Sequence, residues 1–363
     1  MNDTHRHRVI FVDLARALAV MLMIAGHTSS ALLAPHYRSG PWFDAWTFQR
    51  GLTSGLFLLL SGFAFSLATT RHWPAHLQLS SAVFKRVRRF GLFVVLGYAL
   101  HFPVLHFAQL ATATDQQWRS FLAVDVLQLI GVSLLALQAL VIVVRTRRAF
   151  MLASFAIAAG IVAASPACWR TDWVRLLPLP LAAYLSPATG SLFPLFPWAS
   201  FVFIGAGAGQ LYARWGAAHL ARFAAWGMMA PGAALIGAGL TVWSGLPGEV
   251  AIRVGACLLV LTVVAHASRH IVQLPHVFGA VAQESLVIYF VHLCVVYGSI
   301  WNSGLYRFYG EALSLPRTAL MALAVAGAMT ALAWYWNRLK HVRPVAARRL
   351  SWVTGAVLAA RLL

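Results

Sequence analysis

Apolar runs near 20 residues recur along the chain, separated by short connections that carry arginine, proline or glycine. A run of that length is what a helix needs to cross a hydrocarbon layer about 30 Å thick. Ten candidate spans follow, at 9 to 33, 52 to 70, 87 to 107, 121 to 144, 149 to 166, 196 to 213, 220 to 243, 250 to 268, 279 to 302 and 316 to 337. The pattern predicts an all-α polytopic membrane helix bundle: a single transmembrane domain over 1–337 and a basic tail over 338–363 resting on the inner membrane surface. Two long connections, 34 to 51 and 167 to 195, fall on the outer side, and LLPLPLAAYLS in the second is apolar but too short to span. No internal repeat is visible, and hence no repeat-based argument for an inverted-repeat transporter.

Composition agrees with the pattern. Of 363 residues, 60% are hydrophobic and 10% charged, with a mean hydropathy of +0.74, well above an ordinary soluble domain. The formal net charge of +19 does not point to nucleic acid, because the basic residues lie between apolar spans and no soluble domain presents a basic face. Membrane topology explains them: alternating the ten spans with both termini cytoplasmic puts 19 of the 28 Lys and Arg on the inner side. The basic start MNDTHRHR precedes an apolar run too long for a signal peptide, and that run contains Asp13 and Arg16, so it reads as a retained first span in the inner (plasma) membrane. Cys168, Cys257 and Cys294 are isolated, which suggests neither a disulfide framework nor a metal site.

The costly residues then define the candidate chemistry. Val9 to Ser30 would cross the membrane with Asp13, Arg16 and His27 inside it, and intramembrane ionisable groups mark function by default. At about 100° per residue, Arg16 and His27 lie within roughly 20° of each other and Asp13 within roughly 40° of His27, giving one polar stripe. The ninth span runs in the same direction and carries Glu284, Ser285, Tyr289 and His292, the last three on one face. Glu284 lies at the depth of Arg16, where a helix-holding ion pair is the competing reading. Asp125 and Gln128 share a face of the fourth span near its outer end, level with His27, although a carboxylate there also suits the interface. Ser61 and Gly62 lie near mid-membrane in the second span, where small residues favour close packing.

The stretch VDLARALAVMLMIAGH, with ten residues between Arg16 and His27, resembles the signature of the transmembrane acyltransferase superfamily, which includes the acyltransferase-three proteins and relatives of heparan-alpha-glucosaminide N-acetyltransferase. LFLLLSGFAFSLA and ESLVIYFVHL resemble further spans of that superfamily, while VDVLQLIGVSLL and FPLFPWASFVFIGAGAGQLY resemble its heparan-acetyltransferase branch. The resemblance implies an acyltransferase that moves an acyl, usually acetyl, group from cytosolic acetyl-CoA to a hydroxyl or amine of an extracytoplasmic glycan, sugar or lipid. It implies acyl-CoA as a co-substrate rather than a bound cofactor, and matches His27 to the catalytic histidine and Arg16 to the signature arginine.

Acyl transfer needs a base, and imidazole suits that task. The candidate catalytic set is His27 with Asp125 and His292, and the candidate co-substrate set is Arg16, Asp13, Glu284 and Ser61. A guanidinium holds phosphate bidentately, and the inner cluster Lys85, Arg86, Arg88 and Arg89 suits the same polyanion. Trp42, Trp46, Trp169 and Trp173 suit either a sugar or the interfacial belt. The alternative from another class is a proton-coupled transporter or flippase that uses Asp13, Arg16, Glu284, His27 and His292 as a relay.

Overall fold

The computed structural model describes residues 9–361, so MNDTHRHR, with Arg6 and Arg8, lies outside the described residues. The principal helices are α1 (Ile10–Leu32), α2 (Pro41–Arg71), α3 (Ser81–Leu100), α4 (Val126–Val144), α5 (Arg147–Arg170), α6 (Leu195–Leu211), α7 (Leu220–Thr241), α8 (Gly245–Ser268), α9 (His276–Gln283), α10 (Ser285–Tyr297), α11 (Leu315–Val342) and α12 (Pro344–Ala360). A helix occupies each of the ten expected positions. Among the described residues, seven helices are long and apolar enough to cross a membrane, and an eighth is so if α9 and α10 count as one span bent by 76°. α3 begins with the basic run KRVRR and α6 has 17 residues, which separates both from that group. Only 22% of the apolar stretch of each of α5, α7 and α11 is buried, as expected of helices that turn most of their surface to lipid. The chain is an all-α polytopic membrane bundle that divides into two compact units, with α2 shared at Thr53.

The first unit comprises 9–53, 100–117 and 268–361. Its centre is α1, whose Ala15, Ala17, Ala19 and Val20 are buried against α9, α10 and α11; side chains this small let the helices approach closely. The C-terminal end of α1 is fastened twice. Ala34 donates to the Leu313 carbonyl and Leu313 to that of Leu32, at 3.0 and 2.9 Å. Arg38 donates to the carbonyls of Ser30 and Leu33 and pairs with Glu311 at 3.3 Å, giving partners and a favourable charge to a helix C-terminus that would otherwise be unsatisfied.

The segment expected as a tail divides between two helices. α11 continues to Val342 and so takes in Arg338 and Lys340. Arg343 then breaks the helix, and Pro344 starts α12 at a first-turn position that needs no N–H. α12 packs along α11, and its Leu358 carbonyl accepts from Trp301 Nε1 at 2.9 Å. Its C-terminal end therefore lies at the end of this unit where α10 finishes. Ala347 is the buried residue of this helix, while Val345 and Leu350 stay exposed.

The second unit comprises Ser54–Ala99 and Trp118–Ala267. Here α2 and α6 cross with backbones in contact: a Cβ on Gly62 would stand 1.8 Å from the Val202 carbonyl oxygen, and one on Gly205 1.9 Å from that of Leu59. Only glycine fits at this crossing, which explains the small residues of both segments as packing. Arg86 is drawn under the unit, donating to Thr69 Oγ1 at 2.8 Å and lying over the Phe65 ring. Gln138 donates to the His76 carbonyl at 3.1 Å. The 167 to 195 connection forms short turns at Trp173–Leu176 and Leu179–Ala182, and the indoles of Trp169 and Trp173 donate to the carbonyls of Phe196 and Cys168.

His76 sits in the short turn after α2 and is buried. Burial, then the Arg86 and His72 charges, lower its pKa from the ordinary 6.5 to about 4. Between those values the unfolded chain binds a proton at His76 that the folded unit refuses, so stability is complete above pH 6.5 and falls as pH drops toward about 4. A His76→Phe variant is expected to show a flatter decline of unfolding midpoint over this window. Identical slopes in both proteins would place the acid sensitivity elsewhere.

Candidate active site

The site forms in the first unit, where α1 and α10 run side by side. His27, half-buried, sits five residues before the end of α1, and His292, fully buried, lies in the middle of α10. Their rings are parallel within 4°, with centroids 5.1 Å apart, and His27 Nδ1 meets His292 Nε2 at 2.8 Å. His292 Nδ1 lies 2.7 Å from the Ile288 carbonyl oxygen.

These contacts determine the tautomers. A carbonyl can only accept, so His292 Nδ1 carries the proton. In the neutral ring, Nε2 of His292 is then an acceptor, which requires His27 Nδ1 to donate to it. The remaining nitrogen, His27 Nε2, holds a lone pair. Two imidazoles ending on a backbone carbonyl thus hold His27 in the tautomer of a general base, the role that a carboxylate fills in other base and orienter pairs.

Aromatic groups fix the pair. Tyr289 stands edge-on to His292 with centroids 5.7 Å apart, and Tyr297 stands edge-on to His27 at 6.0 Å. The Tyr297 hydroxyl donates to the His27 carbonyl at 3.3 Å. Arg50, an arginine that the sequence left in a loop ahead of the second span, belongs to α2 and lies against Gly26, the residue before His27. A Cβ on Gly26 would come within 3.3 Å of Arg50 Cγ and 3.5 Å of Nε. The apolar window began at residue 52, so no sequence signal put this side chain against Gly26.

Cavities open at both ends of this arrangement. One of about 830 Å³ is lined by Asp13, His276, Gln283, Asn337, Arg338 and His341, among others, with Arg338 lying over the Trp334 ring at 5.4 Å. Fourteen residues along α1, a rise of about 21 Å, separate Asp13 from His27. A second cavity of about 450 Å³ is bordered by Tyr297, the β1 (Gly298–Ser299) and β2 (Asn302–Ser303) hairpin, Trp301 and Arg307.

The other candidate residues take distinct places. Arg16 is half-buried, one turn beyond Asp13. Glu284 forms the elbow between α9 and α10, with φ −96° and ψ 18°, and is buried. Its carboxylate pairs with Lys340 and accepts from Asn337 Nδ2 at 2.9 Å. Those α11 residues supply the helix-holding pair that the sequence reading drew to Arg16. Asp125 and Ser61 belong to the second unit. Asp125 is the N-cap of α4, its Oδ1 accepting from Val126 N at 2.7 Å, and the Ser61 hydroxyl donates to the Phe57 carbonyl at 2.8 Å within its own helix. The ring nitrogen of His27 for which the sequence offered a carboxylate is met by His292.

Comparison with protein families matches residues 8–243, about two thirds of the chain, to the heparan-alpha-glucosaminide N-acetyltransferase catalytic domain. The chain belongs to that family. Among curated proteins nothing matches. The match to this membrane acetyltransferase family includes Asp13, Arg16, His27, Arg50, Ser61 and Asp125. Glu284 and His292 lie beyond the matched residues.

The tautomer argument is testable at His292. His292→Phe keeps an aromatic ring and removes the acceptor for His27 Nδ1. Activity is expected to fall by about 10² or more, with the pH profile displaced because His27 loses its fixed tautomer. His292→Gln, which retains an acceptor, should recover part of it. An unchanged rate and pH profile in His292→Phe would show that the imidazole contact does not orient the base.

Proposed function

We propose that this protein transfers an acyl group, most simply acetyl, from cytosolic acyl-CoA to a hydroxyl or amine of an extracytoplasmic glycan, sugar or lipid. The observation that carries the reading is the His27 and His292 pair, whose contact gives His27 the tautomer of a base next to Tyr297, a residue that borders the 450 Å³ cavity. The family supports the acetyl group and a carbohydrate acceptor.

The residues divide the work as follows. The 830 Å³ cavity suits the donor: Arg338, stacked on Trp334, offers a guanidinium for phosphate, and Gln283, Asn337 and His341 offer further hydrogen bonds. Asp13 borders the same cavity, and Arg16 follows it along the stripe toward His27. Bound there, acyl-CoA supplies a thioester carbonyl as the electrophile. His27 Nε2 removes the proton from the acceptor hydroxyl or amine, and the acceptor oxygen or nitrogen bonds to the acyl carbon. The carbon to sulfur bond breaks, and the protonated His27 returns the proton to the departing thiolate, so thiol and acylated acceptor leave together. The Arg50 guanidinium stabilises the negative oxygen of the tetrahedral intermediate, as a preorganised donor should. The hairpin and Trp301 form the wall against which the acceptor rests.

Membranes carrying wild-type protein or His27→Ala are expected to differ by an acetyl-sized mass on an envelope glycan or lipid, and purified His27→Ala to lose thiol release from acetyl-CoA by about 10² to 10⁴. Full activity in that variant overturns the assignment. Arg50→Gln is expected to lower kcat by about 10² with little change in the KM for acetyl-CoA. A loss confined to KM would make Arg50 a binding residue instead.

A further inference from the structure

The second unit contains a cavity of about 320 Å³ that the proposed reaction does not use, lined in part by Thr70, Arg147, Arg148, Met151, Gln210 and Arg214. Its cationic wall comes from two elements. Arg147 and Arg148 are the first two residues of α5, capped by Thr146, whose side chain accepts from Ala149 N. Arg214 sits on the widened π-helical turn Tyr212–Gly216 that continues α6; such turns are uncommon and often found at functional sites.

The three arginines are held differently. Arg147 donates to the Thr70 carbonyl at 3.0 Å and lies over the Trp73 ring at 5.9 Å, so its guanidinium is built into the wall. Arg148 and Arg214 make no hydrogen bond or ion pair to the described residues, and no carboxylate lines the cavity. The acids of this unit are engaged elsewhere, Asp172 with Arg175, Glu249 with Arg253 and Asp125 at its cap. The floor is ordered too. Gln210, 4% exposed, donates to Thr70 Oγ1 at 2.8 Å, and that hydroxyl donates to the Ser66 carbonyl at 2.9 Å. The Gln210 amide oxygen makes no hydrogen bond to the described residues.

The positive-inside rule accounts for arginines in these connections. It does not account for three of them meeting around a cavity with no anion in its walls. Guanidinium groups and the first-turn N–H groups of α5 are the donors that recognise phosphate. Beyond the cavity, α5 carries Leu152 and Phe155, 54% and 37% exposed, an apolar surface fit for acyl chains.

We propose that this cavity binds a phosphate ester, held by Arg148 and Arg214 against the wall made by Arg147, with Gln210 accepting from a hydroxyl beside the phosphate. The exposed apolar face of α5 favours an anionic phospholipid headgroup over a soluble phosphate ester such as CoA.

The test uses the full chain in detergent, titrated in one arm with phosphatidylglycerol against phosphatidylcholine and read by native mass spectrometry, and in the other with CoA read by thermal shift. Arg148→Ala/Arg214→Ala removes side chains that make no hydrogen bond or ion pair to the described residues, so its unfolding midpoint without ligand should match wild type. Phosphatidylglycerol affinity is expected to fall at least about tenfold in the double variant, with Arg148→Lys keeping part of it, and phosphatidylcholine to be indifferent to either change. A matching loss for CoA and not for the lipid would sustain the phosphate site and make its source soluble. Equal affinities of wild type and double variant for both ligands would overturn the proposal, as would a double variant whose weaker binding is shared equally by phosphatidylcholine.

Discussion

Hydrocarbon offers no partner to a polar group, so an imidazole buried as deeply as His292 is costly unless it ends on another group of the protein. The first unit is organised by that requirement. The line from His27 through His292 to the Ile288 carbonyl ends on an oxygen whose second lone pair is available even though it also serves the helix ladder. Because the line stops at the backbone, it needs no charged terminus. Asymmetry follows: one end of the line is buried, and the other is a half-buried nitrogen near a cavity. A relay of alternating charges across the bilayer would need a polar exit at both ends.

Arginine shows how one residue type takes different work from its surroundings. Arg38 satisfies the last carbonyls of α1, Arg86 replaces water with a threonine hydroxyl and a phenyl face, and Arg147 stacks on Trp73. Of the three, Arg38 also pairs with a carboxylate, that of Glu311. With 9 acids against 28 bases, most cations must find carbonyls, hydroxyls and rings, which the planar fork of guanidinium does better than an ammonium group. The preponderance of Arg over Lys in this chain has a structural reason beyond topology.

Much of this was legible in the residues. Period and length put a helix at each of ten positions, of which seven or eight are apolar and long enough to span, and the costly residues of the first and ninth spans named His27 and His292 before their contact was visible. The misreadings have local causes. WFDAWTFQR reads as an interfacial loop because it is aromatic and polar, yet it forms the first turns of α2 and brings Arg50 to Gly26; tertiary contacts override propensity there. The elbow has no proline or glycine to announce it, since it depends on Asn337 and Lys340, more than 50 residues away. The 338–363 segment reads by its charges as one tail, while the chain divides it at Arg343 between α11 and α12. Asp125 was drawn toward His27 by depth, and within its own unit the structure gives it the N-cap of α4.

The elbow at Glu284 also acts as a screw stop. A helix advances about 1.5 Å and turns about 100° with each residue, so a slip of α10 by one position would swing His292 a quarter turn or more away from His27. The carboxylate tied to α11 sits eight residues before His292, roughly 12 Å along the axis, and sets the angular phase of everything after it. The orientation of the imidazole is thus determined by a lysine and an asparagine that never touch it.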